Sequence, residues 1–269
     1  MVNAVEQPGQ AQISEQDGII TVTFTRPEKL NAISVEMRNV LWEATRALAG
    51  RDDLRVLVIT GMGRYFTAGV DIGRTGVGAQ TDVIDERSGI AYRRNYRELH
   101  LLADEWENIE KPVILAAQGP CLGLGTELAC SCDFRLCTPK AHWGLPEIRL
   151  GVIAGSGGTS RLTRLVGPHW AKWIAMAGKN VDADTARMIG LVHEIYPEDE
   201  FMDRVYEFAR SLIALPMEAV GLAKLSIDLV TAQNREYARH IERLANTTLT
   251  NSAEHRRRVR NFNEKKSPQ

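Results

Sequence analysis

Residues 18–24, GIITVTF, place Ile20, Val22 and Phe24 on one face of an extended segment and Thr21 and Thr23 on the other. That period-two pattern predicts a half-buried strand. Residues 34–50 change period: Met37, Val40, Leu41, Ala44 and Leu48 share one helical face, with Ser34 as N-cap and Gly50 past the end. RVLVIT (55–60) and PVILAAQG (112–119) are unbroken apolar runs, the pattern of strands covered on both faces. With helices between them, these runs predict an α/β sheet joined by crossovers.

From about residue 198 the pattern becomes wholly helical, through FMDRVYEFARSLIALP, MEAVGLAKLSIDLV and YARHIERLANTTL, punctuated by Pro216 and the polar TAQN. This divides the chain into a core over 1–197, with 1–16 expected to be flexible, and a helical region over 198–269. The apolar faces of that region are expected to pack on the core or on another subunit. Residues 73–89, rich in glycine and polar side chains, predict a mobile loop beside a site.

Composition narrows the class without naming a function. The 269 residues suffice for one large core, and 44% hydrophobic with 25% charged residues is ordinary for a globular protein. Lys plus Arg (33) nearly balances Asp plus Glu (34), so a net charge of -1 offers no general attraction to nucleic acid or to an anionic membrane. No apolar run is long enough to span a bilayer, and the polar start lacks the features of a signal peptide; a cytoplasmic location is expected. Cys121, Cys130, Cys132 and Cys137 fall in one apolar stretch without a paired C-x-x-C, and His142 does not complete a metal set. They read as buried structural thiols, and no metal is expected.

Glycine-rich turns carry the candidate chemistry. Neither GLGTEL nor GSGGTSRL completes G-x-G-x-x-G, and no G-K-[ST] follows a glycine loop, which weakens dinucleotide and nucleoside-triphosphate readings. Three turns nevertheless follow predicted strands: GRYFTAGVD, GPCLGLG and GLPEIRLGVIAGSGG. Sites in open α/β folds gather at strand ends, so these turns can converge. Within GPCLGLGTELACSC, Glu127 is a carboxylate among small and apolar side chains. Burying it is costly unless it is paired, hydrogen-bonded or protonated, which marks it as a catalytic candidate.

Five stretches, in this order, resemble the crotonase family, the enoyl-CoA hydratase/isomerase superfamily: RPEKLNAIS, YFTAGVDI, KPVILAAQGPCLGLGTELACSCDFRLCT, HWGLPEIRLGVIAGSGGTSRLTRLVG and AGKNVDADTARMIGLVHEI. The resemblance implies a ββα spiral with two roughly perpendicular sheets edged by helices, and C-terminal helices that build a trimer or a hexamer of stacked trimers. It implies an acyl-CoA substrate and no permanently bound cofactor, coenzyme A entering as part of the substrate. A thioester carbonyl would be held by the backbone N–H groups of Val70 and Leu124, the latter near the start of a helix.

The same resemblance assigns Glu127 and Glu147 as the two glutamates that add water across a 2-enoyl-CoA double bond. Taken alone, Glu147 reads as a solvated loop carboxylate. Coenzyme A contacts map to Lys29, Ala68, Asp71 and Ile72, with Phe262 and Lys265 in the basic stretch 256–266. His142 and Trp143 are candidate elements of the acyl pocket. Ala154 stands where the family commonly has proline. The alternative readings are an isomerase, lyase or hydrolase acting on a CoA thioester and, less favoured, a non-catalytic CoA- or RNA-binding protein.

Overall fold

The computed structural model describes residues 10–71, 86–231 and 235–266. A six-stranded sheet forms the frame: β1 (Ala11–Gln16), β2 (Ile19–Phe24), β3 (Val56–Gly61), β4 (Val113–Ala117), β6 (Phe134–Cys137) and β9 (Glu194–Ile195), in that spatial order. From β2 onward the neighbours run parallel, whereas β1 pairs antiparallel with β2 through a turn at Asp17 and Gly18. Between β4 and β9 the chain also makes a three-stranded sheet of β5 (Cys121–Leu122), β7 (His142–Gly144) and β8 (Val181–Asp182).

Residues 11–16 therefore belong to a strand, which corrects the expectation of flexibility for that stretch, while residues 1–9 of the same expectation lie outside the described residues. The backbone of that segment is paired along its whole length, from Ala11 opposite Phe24 to Gln16 opposite Ile19. It is an edge strand, and its mostly exposed side chains gave no strong apolar signal.

Helix α1 (Val35–Gly50) forms as its spacing predicts. Ser34 accepts a hydrogen bond from Met37 N (3.2 Å), and Met37, Leu41, Ala44 and Leu48 are buried. Gly50 is the last helical residue, with Arg51 as the cap. Together with Leu99, Leu102, Ala103 and Trp106 of α2 (Glu86–Asn108), this face packs on Ile20, Val22 and Phe24 in the larger apolar cluster. Residues 86–89 are thus helical rather than loop, while 73–85 of the expected loop lie outside the described residues.

The opposite face of the sheet is also covered. Phe201, Val205, Ala209 and Leu212 of α6 (Phe201–Ile213) pack on Ile19, Val56, Val58, Ile114, Ala116 and Leu136. Thr21 is consequently buried, with its hydroxyl 3.3 Å from the Tyr206 hydroxyl. Strand β2 is covered on both faces, where the alternation alone predicted one. Helix α6 completes the core, and α7 (Met217–Thr231) docks through Lys224 Nζ, which donates to Trp106 O (2.6 Å) and pairs with Asp133 (2.8 Å). Helices α8 (Arg235–Thr250) and α9 (Ala253–Lys266) follow. Among the described residues no helix is long and apolar enough to cross a membrane.

All four cysteines are buried free thiols, and burial pushes Cys130 and Cys137 up to about 12. They are inert packing groups, since reactivity needs thiolate.

Candidate active site

The site is assembled from backbone turns at the edge of the small sheet. Asn31, buried in the left-handed region at φ 52°, donates its amide to Met62 O (2.9 Å) and Tyr65 O (2.8 Å) and so pins the turn after β3. Thr67 donates to Asn31 O (2.7 Å), Ile33 N donates to Gly69 O (2.7 Å) and Ala68 N donates to Leu30 O (2.9 Å). The segment 67–70 is thereby fixed against the stretch 30–33. On its other side, a Cβ at Gly69 (φ 105°) would stand 3.3 Å from Leu122 O and 3.6 Å from Leu124 N. Glycine is needed there for both the conformation and the close approach.

Helix α3 (Leu124–Ala129) starts at this junction, after Gly123 at φ 54°. Leu124 is its first residue, so its N–H has no place in the helical ladder. Neither the Leu124 N–H nor the Val70 N–H has an acceptor among the described residues. Leu124 is buried, where an unpaired backbone donor is rare, and the second unpaired donor belongs to the half-buried Val70 on the adjoining segment.

Glu127, one turn into α3, is 3% exposed. Its Oε2 accepts hydrogen bonds from Ser156 N (2.6 Å) and Gly158 N (3.0 Å), in the glycine turn that leads into α4 (Gly158–Ala171). Burial, reinforced by the charge of Glu147, pushes the Glu127 carboxyl up to about 7, against the lowering effect of the two N–H donors and of Arg161. Glu147 lies in the 3-10 turn Pro146–Leu150, and its own carboxyl is raised by burial. Its Oε1 would be 2.9 Å from a Cβ at Gly123, so the acid rests on the turn that opens α3. Its buried Oε2 has no hydrogen-bond partner among the described residues. One carboxylate is clamped and the other is left with an unsatisfied oxygen.

The glycine turn is held without a proline. Thr159 donates to Ala154 O (3.1 Å), and His100 Nε2 donates to Gly155 O (2.9 Å). Arg161, 5% exposed, pairs through Nε and Nη2 with Glu107 (2.9 Å each) and through Nη2 with Asp104, tying α4 to α2. The roles of Ser156, Gly158 and Arg161 were not apparent from the sequence. Only the glycine and serine content of the turn hinted at them.

The structure brings Val70, Leu124, Glu127 and Glu147 together through these turns. The other candidates lie differently. Lys29 is exposed in the 3-10 turn Pro27–Lys29, and Ala68 is half-buried. Asp71 pairs with Arg26 (2.5 Å), a bond that joins the two stretches flanking the site, and Ile72 lies outside the described residues. Phe262 is exposed on α9, where the side chain of Lys265 lies outside the described residues. His142 faces solvent with Nδ1 3.0 Å from Lys140 O, while Trp143 is fully buried in the larger apolar cluster.

The sequence profile of the enoyl-CoA hydratase/isomerase family matches residues 14–269. The chain belongs to that family. It is 35% identical over 219 residues to the short-chain-enoyl-CoA hydratase of Clostridium acetobutylicum, covering 80% of each chain. It is 30% identical over 226 residues to 4-chlorobenzoyl coenzyme A dehalogenase-2 of an Arthrobacter species, covering 83% of this chain and 79% of the relative. Its fold matches the crystal structure of an enoyl-CoA hydratase from Bacillus anthracis with a TM-score of 0.87 at 26% identity, covering 97% and 98% of the two chains. The crotonase-like ββα arrangement implied by the sequence resemblance is therefore the fold of this family member.

Proposed function

We propose that the protein hydrates 2-enoyl-CoA thioesters, a reading carried by the unequal settings of its two buried glutamates. Val70 N–H and Leu124 N–H donate to the thioester oxygen. Donors fixed before the reaction stabilise the enolate-like oxygen more than the neutral carbonyl, which lowers the barrier to attack at the β-carbon. Helix α3 is only six residues long, so its contribution is its free first N–H rather than a long dipole.

Glu127, ionised, keeps Oε2 on its two backbone donors and uses Oε1 to orient and deprotonate a water. The water oxygen forms a bond to the β-carbon as the double-bond electrons move toward the carbonyl. Glu147 then delivers a proton to the α-carbon, and the water proton accepted by Glu127 restores the balance after exchange with solvent. Repulsion between the two carboxylates favours the state with a single proton on the pair, and their titrations are shared. A clamped, ionised Glu127 favours hydration over double-bond isomerisation, which needs one proton-shuttling acid alone. Loss of the conjugated enoyl absorbance on mixing the protein with 2-butenoyl-CoA tests the reading. Migration of the double bond without uptake of water would transfer the assignment to an isomerase.

We further infer that α7–α9 join copies of the chain into a trimer or a hexamer of two stacked trimers. Ile227, Leu229, Leu244 and Phe262, on three consecutive helices, are exposed by 61%, 51%, 72% and 58%, and a contact between copies would cover them. Light scattering tests this, and a well-folded monomer at micromolar concentration contradicts it.

A further inference from the structure

A cleft of 740 Å³ opens between α2 and residues 151–155, with Arg93, Tyr96, Arg97 and His100 on one side and Val152 and Ile153 on the other. Its position relative to the glutamates follows from the chain. Residues 147–158 run from Glu147 to the N–H groups that clamp Glu127, and the middle of this stretch is the cleft wall. Val152 N also donates to Glu147 O (3.3 Å), and His100 holds Gly155 from the α2 side. The cleft wall and the supports of both glutamates therefore belong to one short segment.

The lining combines apolar and cationic groups. Val152 and Ile153 are 43% and 68% exposed, and a Cβ at Gly155 would collide with the ring of Tyr96, so that ring lies flush on the turn. Arg93 and Arg97, one helical turn apart, both line the cleft. Neither has an ion-pair partner among the described residues. The acids further along α2 are engaged: Asp104 and Glu107 hold Arg161. Glu98, the acid adjoining Arg97, acts on Arg38 of α1.

We propose that this cleft receives an acyl chain that ends in a carboxylate, its methylene stem lying on Val152, Ile153 and Tyr96 and its terminal oxygens on Arg93 and Arg97. Guanidinium groups suit this end, because their fixed donors meet a carboxylate in pairs. Apolar walls with a few convergent polar groups are the usual make-up of a small-molecule site. The inference rests on the reading of the protein as one that acts on CoA thioesters.

Calorimetric binding of adipyl-CoA and hexanoyl-CoA, saturated six-carbon thioesters that differ only at the distal end, tests it without needing turnover. The full-length protein should bind adipyl-CoA at least about tenfold more tightly, the scale of a hydrogen bond to a charged group. In Arg93→Gln/Arg97→Gln the ratio of the two affinities should fall to about one, and Arg93→Lys/Arg97→Lys should keep part of it. Equal affinities in the unaltered protein would overturn the inference. So would a double variant that weakens both ligands alike, since the arginines would then be holding the phosphates of coenzyme A. Failure to bind either thioester would instead remove the CoA reading itself.

Discussion

Arg161 occupies the space that a side chain at Gly157 would need: a Cβ there would collide with the arginine's Nη1. The contact sits between Ser156 and Gly158, whose N–H groups hold Glu127. The positive charge of Arg161 also lowers the Glu127 carboxyl from where burial alone would leave it. Arg161→Gln should therefore raise the acidic limb of the pH–rate profile by roughly half to one unit, because a neighbouring cation favours the ionised acid. A slower enzyme whose acidic limb stays in place would reduce Arg161 to a structural tie between α2 and α4.

Glu127 itself should make stability depend on pH. Its carboxyl is at about 7 in the folded chain against 4.5 as the ordinary value, so the native state binds more protons than the unfolded state between those limits. Stability contributed by the protonated acid is full below pH 4.5 and is lost as pH rises through about 7. Glu127→Gln, which cannot ionise, should be more stable than the unaltered protein at pH 8 by about 2 kcal/mol, or about 5 °C in melting temperature, and not at pH 4.5. Calorimetry at the two pH values checks the sign. Equal melting temperatures at pH 8 would mean that burial does not hold this proton.

Glu147→Gln should lose exchange of the α-proton. An amide cannot cycle a proton, and general acid–base catalysis is worth roughly 10²–10⁴-fold. Deuterium uptake at the α-carbon of a bound saturated acyl-CoA should fall on that scale while the thioester still binds. Exchange at the unaltered rate would assign the proton transfer to another group.

A bound thioester should report the two free N–H groups directly. If Val70 and Leu124 donate to its oxygen, the carbonyl stretch should move to lower frequency than in water, and a conjugated acyl group should absorb further to the red. The measurement uses the unmodified protein, since these donors belong to the backbone. An unshifted carbonyl would sink the thioester-oxygen assignment.

The parts of this molecule legible in its sequence are those set by local periodicity. Helix α1 follows from its apolar spacing and its Ser34 cap, and Glu127 stood out because a carboxylate among Leu, Ala and Cys needs a physical reason. What alternation could not reveal was long-range covering: Thr21 looks like a solvent-facing residue until α6, about 180 residues later, brings Tyr206 over it. The same limit hid the clamp on Glu127, because the direction of the Ser156 and Gly158 N–H groups depends on a turn whose shape is set by Arg161 and His100. Arg93 and Arg97 carried no signal, as two basic residues on a helix ordinarily face water. The family resemblance paired Glu127 with Glu147, which spacing alone could not do.

The stretch from Glu147 to Gly158 has a consequence for redesign. Its backbone fixes where both acids stand, so inserting or deleting a residue there shifts one acid relative to the other. The side chains of Val152 and Ile153 face outward from it and take no part in the clamp. Under the proposed function, substrate choice and proton chemistry thus fall to different chemical groups of one short segment. New acyl preferences can be selected by exchanging those two side chains at constant loop length, leaving the spacing of the acids as it is.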